Sequence, residues 1–300
     1  MLWLLLLLFH ATCGMHLNIE DGARLVFVGG ALVEREQQFG YVEVMLHAMY
    51  PDKKFTVRNL GWSGDTVWGE ARAGFGTPRD GYQKLVEQVR ACKPDILFFH
   101  YGSTEAFAGK EKITTWVDAY TRLVSDVKGE NTQLVYLMPA QMVTRLPKNA
   151  AMLERERQYN DALSHYVGNF QLLRVTHPGI TIFLQQLYDV PKPRELTDDG
   201  LLPNEAGYRE LARVFARQLG RPDLATRDLK DWEPVRQMII RKNELYFHHY
   251  RPQNDTYLFG FRKHEQGQNA REMPEFTKFI EEMDTKIKDA KTSLTHTLKR

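Results

Sequence analysis

The sequence predicts an α/β protein: a three-layer α/β/α sandwich with a central parallel sheet, followed by a mainly helical C-terminal appendage. Three observations lead there. From residue 24 to about 220, short continuous apolar runs alternate with amphipathic helical stretches, the pattern of strands covered on both faces by crossover helices. Gly, Pro, Asn and Asp punctuate the runs. After "GRPD" at 220–223 the strand signal stops and only helical periodicity remains.

Strands are expected over 24–28, 55–59, 95–101, 133–138 and 180–184, each an apolar run too short for a helix. The first runs into Gly29 and Gly30, a sharp turn with a helix behind it. Between the second and third strands, Tyr82, Leu85, Val86 and Val89 share one helical face. Between the third and fourth, Ile113, Trp116, Val117, Tyr120, Leu123, Val124 and Val127 do the same. Asn204 is placed to cap a helix presenting Tyr208, Leu211, Ala212, Phe215 and Leu219. Beyond it, 234–250 reads as a helix, 251–276 as a polar and aromatic stretch without period. A last helix after Pro274 carries Phe276, Phe279, Ile280, Met283, Ile287, Ala290 and Leu294. The appendage, 221–300, has too few apolar residues for its own core and is expected to pack on the body, 23–220.

With 300 residues, 43% of them apolar, and 16 Phe and 5 Trp, the chain can bury a full core. Its 40 basic and 38 acidic residues are interspersed, which speaks against a nucleic-acid footprint. Residues 1–14 are an apolar run too short for a stable membrane span, ending in small residues. They read as a signal peptide, and the protein as secreted or periplasmic. Lipidation of Cys13 is the alternative, disfavoured by His10 where a leucine is expected. After cleavage only Cys92 remains, on the apolar side of a helix, an inert core thiol rather than half of an intramolecular disulfide.

In an open parallel sheet, chemistry collects at the carboxyl ends of the strands. Four of those ends carry distinctive loops: "VGGALVER" after the first strand, "NLGWSGDTVWGEAR" after the second, "YGSTEAF" after the third, and "TDDGLLPNEAGY" before the capped helix. Together and in this order they resemble the motif blocks of the SGNH, or GDSL, hydrolases, over 24–220. The resemblance implies an SGNH-hydrolase/flavodoxin-like fold and no cofactor. It places the nucleophile block, Gly-Asp-Ser in that family, on Gly29, Gly30 and Ala31. It places the oxyanion glycine on Gly64, the oxyanion asparagine of Gly-x-Asn-Asp on Thr104 within Gly102–Glu105, and Asp-x-x-His on Asp199 to Leu202. The "RPQN" tail resembles a narrower, secreted bacterial group in which the nucleophile block is itself often altered.

An ester hydrolase needs a hydroxyl, a base to take its proton and a carboxylate to orient the base. Ala31 has no hydroxyl, Leu202 no imidazole and Thr104 no amide, while Asp199 persists. The N–H groups of Ala31 and Gly64 remain as oxyanion donors. Two readings follow. In the first, the chain is a binding or scaffold module that keeps the pocket for a carbohydrate or acyl-ester ligand. In the second it is an active esterase using Ser63, Ser103, or a water activated by Asp199 or Glu105. The first reading falls if another hydroxyl and imidazole meet within hydrogen-bonding reach at the mouth of the sheet. Gly30, Ser63, Asp65, Ser103 and Glu105 are expected at the pocket, with Asp65 and Glu105 bracing loops and Arg58 and Arg72 available to pair with them. His100 reads as a satisfied buried histidine facing a covering helix. Trp62, Trp68, Phe75 and Phe107 suit equally a sugar-stacking rim and a packed lid. His248, His249, His264 and Glu265 match no standard metal-ligand spacing, so no metal site is expected. "TYLFGF" reads as a clamp of the tail on the body; a tail that is itself the functional surface is a third reading.

Overall fold

A computed structural model describes residues 16–143, 149–265 and 269–298; the expected signal segment, with Cys13, lies outside them. The described residues contain one sheet of five parallel strands: β1 Ala23–Gly29, β2 Phe55–Gly61, β3 Ile96–His100, β4 Gln133–Met138 and β5 Ile180–Phe183. Their order is β2-β1-β3-β4-β5. Chain direction across the sheet reverses between β1 and β3, the switch point where such folds open a crevice.

Side-chain alternation sends successive residues to opposite layers. Leu25, Phe27, Ile96 and Phe98 join one core with α1 (Ala31–Phe39), α2 (Tyr41–Met49) and α6 (Glu205–Gln218). Val26, Val28, Leu97 and Phe99 join the other with α3 (Pro78–Cys92), α4 (Ile113–Val127) and α5 (Ala150–Thr176). Phe27 and Phe98 stack across β1 and β3 with centroids 4.1 Å apart, worth about 0.5–1.5 kcal/mol beyond burial. The expected Asn204 cap forms, accepting from Gly207 N at 3.1 Å; in addition, Thr77 and Asp80 close a capping box on α3.

The C-terminal region is helical: α7 (Pro222–Ala225), α8 (Glu233–Tyr250), α9 (Asp255–Leu258) and α10 (Glu275–Leu298). α8 runs along β2, the strand at one border of the sheet, and puts side chains where a further strand would donate. Lys242 Nζ reaches Val57 O at 3.0 Å and Tyr250 Oη reaches Gly61 O at 2.5 Å. The spacings match: eight helical residues rise about 12 Å and four strand residues about 13 Å. An edge strand with free carbonyls is thereby covered.

Several expectations change in the fold. Arg58 pairs with Asp284 of α10 at 2.5 Å, not with a motif carboxylate. Cys92 is half-buried, its Sγ 3.0 Å from Tyr246 Oη of α8, and burial pushes its pKa up. On α10, Phe279 is exposed while Ile280 and Ile287 are buried. Of "TYLFGF", Leu258 is buried, and Phe259 and Phe261 stand in solvent. The helix α5 is absent from the expected elements.

Candidate functional site

Gly29 closes β1 where the backbone crowds β3; a Cβ there would lie 2.5 Å from His100 O. The chain then turns through Gly30, the N-cap, and Ala31 opens α1. The first N–H groups of a helix have no intrahelical acceptor, so the Ala31 amide is available to a ligand. Gly64, at φ +78° and so in the left-handed region glycine favours, turns the loop after β2 toward it. Thr104 Oγ1 faces the same turn, since a Cβ on Gly30 would lie 3.2 Å from it.

Above the turn is a cavity of about 210 Å³ lined by Gly30, Ala31, Gly64, His100, Ser103 and Thr104. Its remaining wall is mostly apolar: Phe107, Leu184, Leu187, Tyr188, Leu201 and Leu202 contribute. This is below the ~300–1,000 Å³ of drug-sized sites and suits a short acyl group.

Of the expected site residues, Gly30, Ala31, Gly64, Ser103, Thr104 and Leu202 meet at this cavity. Ser63, Asp65, Glu105 and Asp199 do not line it. Ser63 is exposed, its N–H and hydroxyl held by Glu34 at 2.7 and 2.6 Å. Asp65 is buried against Arg72 Nε at 2.8 Å and accepts from Tyr101 Oη at 3.2 Å. Glu105 accepts from Val67 N at 3.0 Å and Gly102 N at 2.8 Å, tying the loops after β2 and β3 together. Burial pushes its pKa up to about 7. Asp199 Oδ1 accepts from Leu201 N and Leu202 N at 2.9 and 2.7 Å, folding its own loop. These carboxylates hold loops together and supply no cavity wall, Asp65 through the side chains of Arg72 and Tyr101, Glu105 and Asp199 through backbone amides.

His100 departs from expectation differently. It is buried as expected, but it ends its strand and contributes to the lining of the cavity. Nε2 lies 3.4 Å from Ser103 Oγ, longer than an ordinary N–H···O bond. Burial pushes its pKa down to about 4, leaving the ring neutral near pH 7. A hydroxyl and an imidazole thus approach each other at the mouth of the sheet, at the outer limit of hydrogen-bonding reach, and this contact counts against the non-catalytic reading.

Two contributors carry no signal in the sequence. Glu34 on α1 holds Ser63 and is in turn paired with Arg251 of the "RPQN" stretch, whose guanidinium sits 4.2 Å over the Trp62 ring. With Tyr250 on Gly61 O, the tail thus braces the loop that presents Gly64. Partners over 200 residues apart, as Glu34 and Arg251 are, leave no periodic trace. Among the aromatics, Trp62 is buried, whereas Phe107 is exposed and packs on Tyr159 with centroids 4.6 Å apart.

The chain is similar to the acetylxylan esterase of Geobacillus stearothermophilus, 26% identical over 228 residues, covering 68% of this chain and 97% of that protein. Among solved structures it resembles a GDSL-like lipase from Parabacteroides merdae: TM-score 0.51, 17% identity, 69% of this chain and 99% of the other. A gut microbial diltiazem-metabolizing enzyme shares the fold over 93% of this chain and 97% of its own, with TM-score 0.64 and 8% identity. No protein-family model matches. With four motif blocks in order along the sequence and an esterase relative aligned over nearly its full length, the chain resembles the SGNH/GDSL hydrolases and shares their α/β fold.

Proposed function

We propose that the chain binds a short acyl ester, carried on a carbohydrate, in the cavity above Ala31 and does not cleave it. The observation that carries this is the methyl group of Ala31 at the tip of the turn, in a cavity that Gly64 also lines and that has no carboxylate in its lining. A carbonyl oxygen seated between the Ala31 and Gly64 amides meets donors fixed by the fold, as in an oxyanion hole. No oriented base then takes a proton. The acetylxylan esterase relative suggests the ligand class, an acetylated sugar.

Calorimetry of the purified protein with acetylated xylo-oligosaccharides, alongside hydrolysis assays with these and p-nitrophenyl acetate, tests the reading. Saturable binding without turnover is expected. Turnover that survives purification and vanishes in Ser103→Ala overturns it.

A second reading rests on the Ser103–His100 contact: Ser103 Oγ attacks the carbonyl carbon while His100 Nε2 takes the hydroxyl proton and the C=O π pair moves to oxygen. Collapse then expels the sugar oxygen, which receives that proton, and water releases the acyl group from Ser103 by the same route. Against it stand the 3.4 Å separation and a ring that burial makes a weak base near neutral pH. The same Ser103→Ala assay decides between the two.

Residues 1–14 belong to this proposal as a cleaved leader that sends the protein out of the cytoplasm. A mature N-terminus beyond residue 14 is the expected sequencing result, and an exported protein still carrying Met1 would remove that part.

A further inference from the structure

Beside the cavity lies a second, open depression of about 690 Å³, walled on one side by the loop after β2 and on the other by the C-terminal region. Its lining includes the exposed Phe75 and Phe261, Gln253 and Thr256, and the buried Trp62 with Arg251 over its ring. It adjoins the cavity through three consecutive residues: Trp62 lines the groove, Gly64 lines the cavity, and exposed Ser63 forms the saddle.

Phe75 and Phe261 are 88% and 71% exposed, yet they approach edge to face with centroids 6.2 Å apart. Phe75 stands between Gly74 and Gly76, and Phe261 follows Gly260, so small neighbours leave both rings uncovered. Leaving two phenyl groups in water is unfavourable by about 1.5–3 kcal/mol each relative to full burial, which marks a surface that meets an apolar face.

The charges of the groove are already neutralised. Arg251 pairs with Glu34, Lys84 with Asp255 at 3.1 Å, and Arg72 with Asp65 from behind. That balance disfavours a phosphate, a nucleic acid or an acidic peptide. Aromatic rings separated by ion pairs and amides instead suit a neutral polyhydroxylated chain, which offers C–H faces to rings and hydroxyls to planar polar groups.

We propose that this groove is a glycan subsite, holding the neighbouring sugars of a ligand whose acyl group sits above Ala31; it extends the acyl-binding reading of that cavity. The test uses the full mature chain and calorimetry. The probes are tetrasaccharides of xylose, glucose and mannose, with and without O-acetyl groups, and the corresponding singly acetylated monosaccharides. At least one acetylated tetrasaccharide is expected to bind roughly tenfold or more tighter than its monosaccharide, about 1.4 kcal/mol. Phe75→Ala with Phe261→Ala is expected to abolish that gain while leaving monosaccharide binding and melting temperature unchanged. Equal affinity for short and long ligands, or a gain that survives the double substitution, overturns the subsite while the cavity reading stands. Plain tetrasaccharide binding that requires both phenylalanines, with no acetyl dependence, supports the subsite and removes the cavity reading. Absence of binding by every probe removes both.

Discussion

Glu105 and His100 sit five residues apart and respond to pH in opposite senses. His100 falls from an ordinary value near 6.5 to about 4. Between those values the unfolded chain binds a proton that the folded one refuses, so stability rises with pH and is lost as pH falls from 6.5 through 4. Glu105 rises from about 4.5 to about 7, so the folded chain keeps a proton the unfolded one has released, and stability falls as pH rises through that window. Each contributes on the order of 3 kcal/mol, and over pH 4.5–6.5 they largely cancel. Urea midpoints measured from pH 4 to 7.5 are expected to rise more steeply with pH in Glu105→Gln than in the parent, and to fall more steeply with pH in His100→Gln. Parallel profiles for all three proteins would refute the assignment. Glu105→Gln should also cost roughly 1–3 kcal/mol throughout, because its amide nitrogen faces a backbone N–H donor.

At the scale of elements, α8 acts as a cover for the β2 edge. Lys242 is fully buried, its ammonium 2.5 Å from Glu43 Oε1 of α2 and 3.0 Å from Val57 O. Lys242→Ala strands the Glu43 carboxylate in the interior and is expected to destabilise by roughly 3–5 kcal/mol in urea unfolding. Lys242→Met with Glu43→Gln should cost well under the sum of the single changes, since no buried charge is then left alone. Additive costs would show that the pair does not act as a unit. The long α5 illustrates why some elements escape a sequence reading. Tyr159, Leu163, Tyr166 and Phe170 form its buried face, but exposed Leu153, Leu172 and Val175 on the other side blur the periodicity.

The whole molecule joins its C-terminal region to both cores: Trp232, Val235 and Ile239 pack with one, Tyr246, Tyr250 and Ile280 with the other. Ending the chain at Gly220 uncovers those partners and the β2 edge, so the truncated protein is expected in the insoluble fraction on expression; a soluble, cooperatively melting product would contradict this. Rebuilding the family's groups probes the scaffold from the other direction. Ala31→Ser, Thr104→Asn and Leu202→His together are expected to yield p-nitrophenyl acetate hydrolysis above background. Asp199 uses Oδ1 on its own loop and keeps a second oxygen for the new imidazole. No activity in a folded triple variant would mean the cavity has been reshaped beyond its lining residues.

Strand positions, the helical faces at 82–89 and 113–127, the Asn204 cap and the four motif loops were legible in the sequence, because alternation, helical period and capping chemistry are local. The absence of a hydroxyl at residue 31 and of an imidazole at 202 is likewise a matter of residue identity alone. Tertiary structure decided which polar groups face the ligand. It turned Ser63, Asp65, Glu105 and Asp199 toward backbone amides and neighbouring charges, and brought His100 to Ser103 in the cavity. It also set Arg251 behind Glu34, which it meets only in the folded chain. Such choices depend on which donors lie within about 3 Å of each side chain, and that distance is set by packing between segments far apart in the chain, not by the order of residues within them.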